Sequence, residues 1–65
     1  MRTTQENDQL FMNLMRLNTT FFWNGFELHL MGDHIEVFTK EALDELKSHT
    51  SEEFHKYIAV FEPTL

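Results

Sequence analysis

The chain has 65 residues, 42% of them hydrophobic, with no cysteine and a formal charge of −6. That length allows one small domain, 1–65, and the hydrophobic content argues against ordinary disorder. Without cysteine there is no disulfide framework, zinc ribbon or thiol chemistry, and the acid excess argues against direct binding to nucleic acid or to an anionic membrane.

At the start, Thr3 and Glu6 stand at capping-box spacing. Glu6 and Asp8 lie in the first turn, where the helix dipole favours negative charge. Leu10, Phe11, Leu14 and Met15 then make a narrow apolar stripe. With Arg16 in the last turn and Asn18 suited to a left-handed close, the pattern predicts a helix over about 4–17. Met12 lies off the stripe, as an exposed contact.

Residues 19–39, TTFFWNGFELHLMGDHIEVFT, read as a three-stranded antiparallel meander. Asn24-Gly25 is a strong hairpin signal, because a type I′ turn needs positive φ at both central residues. Gly32-Asp33 offers a second two-residue loop with Gly first, as a type II′ turn prefers. These turns set Phe21 opposite Leu28, Thr20 opposite His29, His29 opposite Glu36 and Leu30 opposite Ile35. Side chains alternate along a strand, so a one-residue slip would scramble the faces. With both turns in place, Phe21, Trp23, Phe26, Leu28, Leu30, Ile35 and Val37 share one apolar face. Thr20, Phe22, Glu27, His29, Met31, His34, Glu36 and Phe38 share the other.

Thr39 is a good N-cap for a helix over about 40–48, with Ala42, Leu43 and Leu46 buried. Thr50 and Glu53 repeat the capping-box spacing. Phe54, Tyr57, Ile58 and Phe61 then follow at helical intervals, and Pro63 ends the run. The favoured reading is a second C-terminal helix. The alternative makes residues 57–61 a fourth strand, since Tyr-Ile-Ala-Val-Phe has strand composition. The expected architecture is a two-layer α+β domain, α-β-β-β-α-α, with the helices on the apolar sheet face. A domain this small is marginal alone, so a homodimer or a partner is expected to add burial.

Three groups of residues are candidates for function. On the second sheet face, Phe22, Met31 and Phe38 form an apolar patch with His29 and Glu36, the expected partner-binding surface. His29 beside Glu36 lacks a nucleophile and an oxyanion site, and its distance from His34 does not suit a metal. Cross-strand stabilisation is the expected role of that pair. Glu41, Asp44, Glu45, Glu52 and Glu53 make an acidic ridge if their segments pack side by side. Such a ridge suits a basic or nucleic-acid-binding protein partner, by nucleic-acid mimicry, although a solvated helix face has the same composition.

No catalytic, cofactor or metal motif stands out, so none is expected. The expected function is a small acidic, non-enzymatic binding module that modulates or inhibits a protein. The analogy is with small acidic proteins of mobile elements and phages. The alternative is a self-associating structural or accessory subunit. The opening MRTTQENDQ has no apolar run and no stretch approaches membrane-spanning length, so a cytoplasmic location is the default expectation.

Overall fold

The computed structural model describes residues 3–61. Its order is α1 (Thr4–Met15), β1 (Thr20–Trp23), β2 (Phe26–Leu30), β3 (Ile35–Val37), α2 (Lys40–Ser48), a 3₁₀ helix (Glu52–Tyr57) and β4 (Ile58–Val60). The four strands form one sheet in sequence order. β1, β2 and β3 are antiparallel, and β4 runs parallel to β3.

The capping box on α1 is present in both directions. The Glu6 amide donates to Thr3 Oγ1 at 3.1 Å, and the Thr3 amide donates to Glu6 Oε1 at 2.8 Å. The helix stops two residues before the expected 17. Asn18 takes φ 49, and the Leu17 and Asn18 amides close on Leu14 and Met15. Leu17 therefore sits in an exposed turn that reverses the chain into β1.

The meander has the register that its two turns require. Asn24 and Gly25 both have positive φ, 50 and 81, and the pairs Phe21↔Leu28, Thr20↔His29, His29↔Glu36 and Leu30↔Ile35 follow. At the second loop Gly32 has φ 89, and the Met31 amide donates to the His34 carbonyl at 2.9 Å. Leu28, Leu30, Ile35 and Val37 on the apolar face are buried, with Phe21, Trp23 and Phe26 packed at its margin.

The helical reading of residues 54–61 is corrected. Only a short 3₁₀ helix forms there, and Ile58–Val60 pairs with the free edge of β3. The Phe61 amide extends that pairing to the Val37 carbonyl at 2.8 Å. The gain is backbone pairing for an edge that a second C-terminal helix would leave open. The β3–α2–β4 connection supplies the crossover that parallel strands need. The expected cap also moves by one residue. Ser51, not Thr50, caps the 3₁₀ helix, because the buried Thr50 hydroxyl donates back to the Leu46 carbonyl at 2.7 Å. Pro63, expected to end the helix, lies outside the described residues.

The helices cover the apolar face of the sheet. Phe11 and Met15 of α1, Ala42 and Leu46 of α2 and Phe54 of the 3₁₀ helix meet the strand side chains in one core. The Phe11 ring stands edge-on to Trp23 at 5.6 Å, and Trp23 meets His49 at 5.4 Å. Polar contacts fix α1 in place. Buried Asn7 donates to the His49 carbonyl at 2.8 Å, and Asp8 accepts from the Ser51 amide at 2.9 Å. Among the described residues no helix is long and apolar enough to cross a membrane.

Candidate functional site

The sheet face away from the helices gathers most of the candidate residues. Alternation places Phe22, Glu27, Phe38 and Phe61 on it, one on or just beyond each strand. Phe22 pairs with Glu27. Continuing the β2–β3 register sets Glu27 opposite Phe38, and continuing β3–β4 sets Phe38 beside Phe61. The Phe38 and Phe61 rings meet edge to face at 5.8 Å. Exposure is large for all three rings: 69% for Phe22, 39% for Phe38 and 48% for Phe61. Met31, at the far margin, is 44% exposed.

The next row holds Thr20, His29, Glu36 and Ala59. His29 and Glu36 are cross-strand neighbours, as expected, but the carboxylate that His29 engages belongs to Glu27. His29 Nε2 lies 2.7 Å from Glu27 Oε2. The two residues stand two apart on β2, on the same side of the pleat. The His29 ring rests edge-on against Phe38, with centroids 4.5 Å apart. His29 therefore ties the two rows together, through the Glu27 carboxylate and the Phe38 ring. Glu36 is half-buried, and its side chain makes no hydrogen bond or ion pair among the described residues.

His34 is held elsewhere. Its Nδ1 lies 2.8 Å from Asp33 Oδ1, on the turn before β3. That hydrogen bond, a backbone hydrogen bond and the nearby imidazole hold the Asp33 carboxyl below its ordinary value. Among the described residues no group of three His, Asp or Glu side chains is placed to hold a metal ion.

The five acids of the expected ridge stand on two elements. Glu41, Asp44 and Glu45 lie along one flank of α2, by the 3.6-residue period. Glu45 reaches His49 at 3.5 Å. Glu52 and Glu53 begin the 3₁₀ helix. Glu53 lines a shallow hollow of about 210 Å³ with Asp8, Met12, Phe54, Lys56 and Tyr57, so it shares its surroundings with α1. A second hollow, about 220 Å³, lies at the end of the sheet beside the start of α2. Phe26, Glu27, Phe38 and Ala42 line it, with Gly25 and Thr39 at its margin.

Two members of the open face were not singled out from the sequence as site residues. The helical spacing of Phe61 with Phe54, Tyr57 and Ile58 points to a helix stripe instead of this face. The alternation Ile58-Ala59-Val60-Phe61, with Ile58 and Val60 half-buried and Ala59 and Phe61 exposed, is the signal that assigns it to this face. Glu27 was placed in the row of Phe22 and Phe38 without a role, because its contact with His29 depends on side-chain reach. No family model, curated protein sequence or solved structure matches this chain.

Proposed function

We propose that the protein is a non-enzymatic binding module that docks another protein on its open sheet face and thereby modulates or inhibits it. One observation carries this reading: three Phe rings and Met31 are exposed together on one sheet face, while the helices lie on the other. Exposed apolar side chains gathered on one face are a common mark of an interface. Aromatic side chains are the usual energetic anchors of such surfaces.

The test is capture by the tagged full chain beside its Phe22→Ser/Phe38→Ser variant, with far-UV circular dichroism confirming that both are folded. A partner held by the wild type and lost by the variant supports the reading. A partner held equally by both overturns it. If no partner is found and sedimentation shows a defined oligomer that the variant lacks, the self-associating accessory subunit takes its place.

A second reading, mimicry of nucleic-acid charge, is favoured by the acidic flank of α2. Its partner would be lost with Glu41→Lys/Asp44→Lys/Glu45→Lys and released by salt, because exposed charges are strongly screened.

A further inference from the structure

The composition of the open face restricts what can cover it. Among the described residues its charged or titratable side chains are Glu27, Glu36, His29 and His34, and no lysine or arginine lies on it. Arg16 caps α1, Lys40 and Lys47 belong to α2, and Lys56 belongs to the 3₁₀ helix. Among the described residues, the carboxylates of the face are thus left without a lysine or arginine partner. The whole chain carries −6, so a second copy or an acidic partner meets repulsion on approach.

Building on the docking role proposed above for this face, we infer that its occupant is a basic segment of a partner protein, with an arginine or lysine set on Glu27 between the Phe22 and Phe38 rings. Three features meet at that point. Glu27 uses one carboxylate oxygen with His29, and its other oxygen makes no hydrogen bond among the described residues. Both flanking rings are exposed, and a guanidinium or ammonium is attracted to the π face of an aromatic ring. The hollow of about 220 Å³ lined by Glu27 and Phe38 is also lined by Phe26 and Ala42. An apolar wall with one carboxylate suits a side chain that has a long aliphatic stem and a cationic head. Glu36, in the next row, gives a second basic residue a counter-charge.

Phosphate-bearing ligands fail on the same chemistry, since among the described residues the face offers them no lysine or arginine. An acidic peptide fails likewise.

The test is an amide-resolved NMR titration of the isotope-labelled full chain with two synthetic peptides. Both have equal length and alternate leucine with a charged residue, arginine in one and glutamate in the other. The expected result is that the arginine peptide shifts Phe22, Glu27, His29, Glu36 and Phe38, and the glutamate peptide does not. Affinity for the arginine peptide should fall about tenfold in Glu27→Gln/Glu36→Gln, whose amide spectrum reports its folding. Equal binding of both peptides at this face, undiminished in the Gln variant, overturns the basic occupant and leaves an apolar docking face standing. No shift on the face with either peptide, or undiminished binding by Phe22→Ser/Phe38→Ser, overturns both.

Discussion

The two faces of this sheet are made by alternate residues of the same strands, yet they do opposite things. On β2, Leu28 and Leu30 are buried under α1, α2 and the 3₁₀ helix, while Glu27 and His29 between them meet solvent or half-meet it. On β3, Ile35 and Val37 are buried and Glu36 is not. Aromatic content does not separate the faces. Phe21, Trp23 and Phe26 belong to one, and Phe22, Phe38 and Phe61 to the other. What separates them is register. A slip of one residue would exchange the two sets, so the turns decide which aromatics hold the fold and which are left for a partner.

The strongest way to break this comparison is to shorten one residue on each face. Leu28 is fully buried, so Leu28→Ala should cost about 2–5 kcal/mol. A chain of 65 residues has roughly 3–10 kcal/mol of stability in total. Leu28→Ala should therefore leave much of the population unfolded, or lower the midpoint in urea steeply. Phe22→Ser removes a larger side chain from the open face and should cost less than about 1 kcal/mol, mostly in strand preference. Equal losses in the two variants would mean that something covers the open face in solution.

A smaller effect tests how the covering layer is held. Asn7→Ala removes the amide that serves the His49 carbonyl from a buried site on α1. The expected loss is about 1–3 kcal/mol, because the carbonyl is left without its partner. Hydrogen exchange should show α1 loosened first. The open face should keep its chemical shifts.

The turns come next. Gly25 has φ 81 and no atom within 4 Å of an added Cβ, so Gly25→Ala reads the backbone cost alone, about 1–2 kcal/mol. At Gly32, φ is 89 and an added Cβ would lie 3.1 Å from Asn18 Oδ1. Gly32→Ala should therefore cost more than Gly25→Ala by urea unfolding. Asn18, which closes the turn after α1, thus sits close against the second turn. A reversed order would mean that the Asn18 side chain moves aside freely.

These contacts show which parts of the fold the chain displays locally. The meander is local: each turn needs positive φ at defined positions, and Asn24, Gly25 and Gly32 are the residues that take it. Two turns then set two registers, and the alternation of Leu28, Leu30, Ile35 and Val37 agrees with both. β4 is not local, since its partner β3 lies across α2 in sequence. Phe54, Tyr57, Ile58 and Phe61 fit helical spacing, while Ile58-Ala59-Val60-Phe61 fits strand alternation. The open edge of β3 decides between them. Thr50 and Ser51 are adjacent hydroxyls, and burial of Thr50 against Leu46 leaves the capping role to Ser51. In the candidate site, Phe22, Met31 and Phe38 follow from register alone. The Glu27–His29 contact and the position of Phe61 depend on side-chain reach and on β4.

The smallest effect lies at the second turn and is read with acid. The Asp33 carboxyl is held below its ordinary value of 3.8 by His34 and by its own backbone hydrogen bond. Between its folded and unfolded values the unfolded chain binds more protons, so stability rises with pH across that window. The contribution is present above the unfolded value and is lost as pH falls through the folded one. Asp33→Asn should therefore lose this small contribution evenly at neutral pH, where it is fully present, and match the wild type in strong acid, where it is gone. Below about pH 4 it should flatten the acid limb of the melting temperature, by a small amount because the carboxylate is fully solvated. A large effect would mean that the turn is shielded from solvent. That would extend the covering of the sheet beyond its apolar face and weaken the contrast between its two sides.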